Sequence, residues 1–196
     1  MCVAVLADIH GNLPALEAVL REVEAAEVDA VVLGGDLADG PMPAQTLDRL
    51  EELGEQAIWV RGNTDRWLAE AFDGTFQHSG LATNYQAAFA DVPTQTVVIG
   101  HTHMPFDRLA DTRRIINPGS VGLPYRHPGA AWALLGPEVV LRRTAYDTDT
   151  ATATLSATAS DMPGIEFITG NIQASASDAE ALAAFNEAIE HQAGQR

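Results

Sequence analysis

Residues 3–7, Val-Ala-Val-Leu-Ala, form a short apolar run that stops abruptly at Asp8-Ile9-His10-Gly11-Asn12. Near-continuous hydrophobicity over so few residues marks a strand covered on both faces, which puts the carboxylate and the imidazole at a strand's carboxyl end. In extended backbone residues i and i+2 share a side, so Asp8 and His10 are expected to face one point with Cα atoms roughly 6–7 Å apart. That is a grip for a single cation. A strand-end aspartate capping the next helix fits the same letters, so the weight of the pattern depends on whether the chain repeats it.

The pattern recurs. A helix over 14–26, capped by Asn12 with Pro14 in its first turn, carries Leu16, Val19, Leu20 and Val23 as one stripe. A strand over 30–33 breaks at Gly34-Gly35 before Asp36. Pro43 then opens a helix with Leu47, Leu50 and Leu53, stopped by Gly54. A strand over 57–60 runs into Arg61-Gly62-Asn63-Thr64-Asp65, and a fourth over 97–99 ends in Gly100-His101-Thr102-His103. This alternation predicts an α/β fold with parallel strands and helical crossovers.

Between the third and fourth strands the sequence predicts a short helix over 67–72, a loop over 73–84 and a helical turn or two over 85–90. A strand over 114–116 then leads into Asn117-Pro118-Gly119-Ser120, and runs at 130–135 and 139–143 form a hairpin. Residues 145–160, rich in Ala, Thr and Ser, read either as a frayed helix or as a linker. Ser177 and Glu180 make a capping box for a last helix whose Ala181, Leu182, Phe185 and Ile189 share a face.

Composition narrows the function. All 11 basic residues are arginine against 27 acidic ones, a formal charge of −16. Such a surface repels a phosphate backbone and argues against duplex nucleic acid as partner. Cys2, the only cysteine, excludes an internal disulfide and a thiolate zinc cluster. No run approaches the roughly 18–20 apolar residues of a membrane span, so a cytoplasmic protein without a membrane partner is expected.

Six residues therefore stand at the ends of four strands: Asp8, His10, Asp36, Asn63, His101 and His103. In an open α/β sheet that is where a ligand site lies. Singly, Asp36 after Gly-Gly also reads as a loop cap and Asn63 after Gly62 as a turn residue. His101 and His103, two imidazoles after a buried strand, have little packing purpose. His127 and His191 read as surface histidines. Nitrogen and oxygen donors without thiolate suit Mn, Fe, Zn, Ni or Co.

The series Asp8-Ile-His10, Gly35-Asp36, Gly62-Asn63-Thr-Asp65, Gly100-His101-Thr-His103 and Asn117-Pro-Gly-Ser120 resembles the calcineurin-like metallophosphoesterase superfamily, and within it the small bacterial phosphodiesterases of the YfcE type. The match spans 3–143 of a single domain of 196 residues, leaving 145–196 as a carboxyl-terminal extension. The resemblance implies a four-layer α/β/β/α sandwich of two mixed sheets with the site in the loops between them. It also implies two divalent cations, manganese foremost. Asp8, His10 and His103 would hold one, Asn63 and His101 the other, and Asp36 would bridge them. A hydroxide shared by the two would attack a small phosphodiester, with no protein nucleophile and Asp65 in a supporting place. Arg61 and Arg126 are candidate cationic contacts for a phosphate near the motifs.

Two departures qualify the resemblance. Thr64 stands where many members carry a histidine that protonates the leaving group. A further family histidine, followed by glycine, should complete the second cation's ligands between Asp65 and His101. Only 35 residues separate those two, and His78 is the one histidine among them. The spacing suggests that a segment of the relatives is missing here. A chain weakened in this way would also suit a protein-binding scaffold, or a dimer that exchanges a segment to complete the site.

Overall fold

The computed structural model describes residues 1–66, 69, 93–110, 112–177, 179–180 and 183. Two mixed sheets with helices build the fold, as the resemblance implies. The first strands run as expected: β1 (Val3–Leu6), β2 (Ala30–Leu33) and β3 (Ala57–Trp59) are parallel, with β1 central. The hairpin β7 (Ala130–Leu135) and β8 (Val139–Thr144) joins antiparallel to β1, so the five-stranded order is β3-β2-β1-β7-β8. A second sheet has the order β4-β6-β5, from β4 (Thr96–Val98), β5 (Phe106–Ala110) and β6 (Arg113–Asn117). β4 runs parallel to β6, and β5 antiparallel. The fourth strand end thus comes from a different sheet than the first three.

Helix α1 (Leu13–Ala25) starts where Asn12 Oδ1 accepts from Ala15 N at 3.1 Å, and all four residues of its expected stripe are buried. They pack with Leu6, Val31, Leu33 and Trp132 in the main core, where Trp132 Nε1 donates to Thr144 Oγ1 at 2.9 Å. Satisfying its one donor is what lets an indole be wholly buried. In α2 (Pro43–Glu51) Leu50 is fully buried, but Leu47 faces outward and Thr46 takes the inward place. The helix is short, so one residue's rotation moves the stripe. Gly54 opens a single 3₁₀ turn before β3.

Residues 145–160 resolve as a helix. Asp147 Oδ1 accepts from Thr150 N at 3.0 Å and caps α3 (Thr148–Thr158), whose Leu155 is fully buried. A further helix, α4 (Ile165–Gln173), packs against it. The capping box is present: Glu180 Oε2 accepts from Ser177 N at 2.8 Å and Glu180 N donates to Ser177 Oγ at 3.3 Å. The apolar face of that last helix, the helices expected over 67–72 and 85–90, the loop at 73–84, and His78 and His191 lie outside the described residues.

Candidate metal centre

The Asn117-Pro-Gly-Ser120 turn ties the two sheets together at the end of β1. Ser120 Oγ donates to Asp8 O at 2.7 Å, Val121 N to Ala7 O at 3.0 Å and Gly122 N to Asp8 O at 3.1 Å. Asn117 Nδ2 donates to Gly100 O at 2.9 Å and to Thr102 Oγ1 at 3.0 Å, holding the Gly-His-Thr-His loop of the smaller sheet. From that loop His101 N donates to both Asp8 carboxylate oxygens, at 3.0 and 2.9 Å. The end of β1 and the Gly-His-Thr-His loop of the smaller sheet are thereby held together, and ligand atoms of Asp8, His10 and His103 lie within 4.8 Å of one another.

They do not reach it by extended backbone. Asp8, His10, Asp36, His101 and His103 all have left-handed φ, between 49° and 75°. Only two other non-glycine residues among those described do so. Asp and His tolerate this region better than most residues, yet such a cluster is strain stored at a site. Asp8 and His10 do offer ligand atoms to one point, but each has positive φ, so the convergence does not come from a continued strand.

In the first group, His10 Nδ1 lies 3.1 Å from Asp39 O and His103 Nδ1 lies 2.9 Å from Leu123 O. A carbonyl only accepts, so each Nδ1 carries a proton and donates, and Nε2 is the ring atom each histidine turns toward the other. Those two Nε2 atoms face each other at 3.2 Å, with Asp8 Oδ1 3.8 Å from His103 Nε2. Two imidazole nitrogens and a carboxyl oxygen within 4.8 Å of one another are the donor arrangement of a cation site. Burial, helped by His10, pushes the His103 imidazole down to about 3, so it stays neutral and able to ligate. Burial and then the Asp36 carboxylate push Asp8 well above the ordinary range.

The second group adjoins it. Asp36 Oδ1 accepts from Thr64 N at 2.8 Å and Thr64 Oγ1 at 3.0 Å. One end of the Asn63 amide sits 2.8 Å from His101 Nδ1 and 3.2 Å from Asp36 Oδ2, the other 3.2 Å from Thr64 N. With nitrogen inward this is a hydrogen-bonded trio. With oxygen inward, three acceptors converge as cation ligands would. His101 Nε2 is buried without a hydrogen-bond partner among the described residues. The residues fit divalent cations in donor type and in convergence.

Asp65 braces this group. Its Oδ2 accepts from Asp36 N at 2.8 Å and Gly62 N at 2.9 Å, and its Oδ1 from Leu37 N at 2.8 Å. One carboxylate thus locks the loops after β2 and β3. Gly62 is needed because a Cβ there would run into the Asp36 carboxylate. Sequence reasoning missed the Asp39 and Leu123 carbonyls and Tyr125, whose ring stacks on His103 at 5.6 Å. Every residue has a carbonyl, so no sequence signal marks the first two. His127 is exposed, as expected.

These features define a class, an α/β protein with a cluster of nitrogen and oxygen donors where loops of two mixed sheets meet. The model of the calcineurin-like phosphoesterase superfamily domain matches residues 1–137, and the chain belongs to that superfamily of phosphoesterases. It is 28% identical over 162 residues to the phosphodiesterase YfcE of Escherichia coli K12, covering 68% of this chain and 86% of the relative. Since 68% of 196 residues is about 133, the aligned region is longer in the relative than here, in keeping with the short spacing from Asp65 to His101. Among solved structures, a metallophosphoesterase from Sphaerobacter thermophilus matches with TM-score 0.64 at 24% identity, covering 89% of this chain and 99% of that one. The E. coli YfcE structure, described as a phosphoesterase, matches with TM-score 0.55 at 24% identity, covering 74% and 100%. At that identity both speak to the fold. No helix among the described residues is long and apolar enough to cross a membrane.

Proposed function

We propose that this chain is a metal-dependent phosphodiesterase with a two-cation site. Asp8, His10 and His103 would hold one cation, Asn63 and His101 the other, with Asp36 available to both. The observation that carries the reading is the pair of histidine Nε2 atoms facing each other at 3.2 Å with Asp8 beside them, next to the Asn63-His101-Asp36 trio. The matched relative's description as a phosphodiesterase supports the substrate class.

Two divalent cations, when bound, would acidify a water molecule and take up charge on the phosphoryl oxygens. The chain's own contribution is placement. Asp39 O and Leu123 O select the histidine tautomers, Asp65 fixes the loop that bears Asp36, and the Asn117 turn fixes the loop that bears both distal histidines. Thr64 supplies no acid for a leaving group, because its hydroxyl is donated to Asp36. Substrates with good leaving groups should therefore react best.

The test is metal content per chain after dialysis against manganese, measured together with hydrolysis of bis(p-nitrophenyl) phosphate and p-nitrophenyl phosphate. Two equivalents of metal with metal-dependent turnover of the diester are expected. A folded protein that binds no metal, or that hydrolyses only the monoester, would refute the proposal.

Cation binding should also release a proton. Asp8, held well above its ordinary range by burial and by Asp36, keeps its proton in the metal-free protein below that raised pKa, and a cation must displace it. Manganese affinity should thus climb with pH through the Asp8 titration and then level off. His103, neutral down to about 3, adds no dependence between pH 4 and 7. Calorimetric titration in two buffers of unequal ionisation enthalpy reads the released proton directly, and buffer-independent heats would contradict this account.

A further inference from the structure

The tautomers of His10 and His103 depend on two carbonyls, Asp39 O and Leu123 O, in two separate loops. The side chains that anchor those loops meet in one place. Met42 and Leu123 both pack against a small core of Leu155 from α3 with Ile168 and Ile172 from α4. Tyr146, which packs against the same core, also joins the main core, and Asn12 Nδ2 reaches its hydroxyl at 3.4 Å. The two helices lie beyond the 1–137 segment matched to the superfamily.

Polar ties reinforce the apolar ones. Asn171 of α4, only 9% exposed, donates from Nδ2 to Pro124 O at 3.2 Å and accepts at Oδ1 from Ala176 N at 3.3 Å. Ala176 O in turn accepts from Arg126 N at 2.8 Å. The backbone is therefore held on both sides of Tyr125, whose ring stacks on His103 with planes 28° apart. The residue before this pinned stretch is Leu123, the source of the His103 Nδ1 partner.

We propose that the α3–α4 pair positions the ligands of the metal centre, and that Asn171 is the positioning residue through which α4 acts on His103. The inference rests on the metal-dependent reading above. A neutral imidazole has two tautomers, and the bond made by one nitrogen decides whether the other offers a lone pair. Releasing Pro124 lets the Leu123 carbonyl drift, the Nε2–H tautomer of His103 becomes populated, and a cation ligand is lost.

The test compares Asn171→Ala with Leu50→Ala, which opens the main core at the end of α2 opposite Met42, in the full-length protein. Two readouts are used: the tautomer of His103 in metal-free protein by histidine ¹⁵N NMR, and the affinity for Co²⁺ from its visible absorption. Asn171→Ala should shift His103 toward a tautomer mixture and weaken Co²⁺ binding about 10- to 100-fold. Leu50→Ala, though less stable, should change neither. Should Asn171→Ala not fold, Asn171→Asp keeps the acceptor for Ala176 and removes the donor to Pro124, and it should show the same direction of change. An unaltered tautomer in the folded variant, or equal losses in Leu50→Ala, would overturn the proposal. Wild-type protein that binds no Co²⁺ would instead overturn the two-cation reading, while the tautomer comparison would still decide the positioning role.

Discussion

Asp36→Asn is expected to lower metal-dependent hydrolysis of the diester about 1,000-fold, equivalent to about 4 kcal/mol of transition-state stabilisation. Asparagine keeps the size and the oxygen that accepts from Thr64 N and Oγ1, so the loop should hold. What disappears is the charge placed between the two groups of donors. That charge also raises Asp8, so its removal should bring the Asp8 pKa down toward the ordinary carboxylate range. Metal-free protein should gain or retain thermal stability at pH values where Asp8 is ionised, since a buried like-charge contact is then relieved. The decisive combination is activity collapsing while Tm stays level or rises. Activity within tenfold of wild type would remove Asp36 from the site.

Asp65→Ala should damage the fold instead. Three backbone N–H groups, of Asp36, Gly62 and Leu37, lose one carboxylate. Orphaning donors that are partly buried should cost about 3 kcal/mol, or roughly 6–12 °C in Tm for a chain of this size. Asp65→Asn, which retains one acceptor oxygen, should fall between the two. Calorimetry of metal-free protein isolates the structural effect, and a Tm within about 2 °C of wild type would show that water or backbone replaces the carboxylate. The contrast matters because both aspartates stand in the same motif-bearing loops. Removal of one should silence the chemistry, and removal of the other should loosen its frame.

Much of this was readable in the chain because apolar runs and their abrupt polar ends are encoded side by side. β2 falls where its Val-Val-Leu run predicts, and α1 within a residue at each end, since Asn12, Pro14 and a regular stripe act together. Strand β5 escaped notice because Phe106-Asp-Arg-Leu-Ala alternates poorly and lies at the edge of a small sheet with Leu109 exposed. α3 was ambiguous because its Thr-Ala pattern carries almost no apolar stripe, and Leu155 is its one large buried apolar side chain, with Ala151 beside it in sequence register. α4 went unread although Ile165, Ile168 and Ile172 recur at helical spacing, because the stretch is short, contains Gly170 and sets Phe167 outward at 72% exposure. Within the site, the side chains that converge are the ones whose chemistry announces them. Their backbone conformations and the carbonyls that orient them come from tertiary structure and have no residue code.

The left-handed turns at Asp8, His10, Asp36, His101 and His103 bear on whether such a centre can be moved. A designer who copies these side chains onto an ideal scaffold, where non-glycine residues are kept out of positive φ, would obtain the right letters pointing in the wrong directions. The transplantable unit is larger than the residues that touch a cation. It includes the Asp65 carboxylate, the Asn117 turn and the glycine at 62 that leaves room for Asp36. Engineering this chemistry elsewhere means carrying over bent backbone first and choosing side chains second.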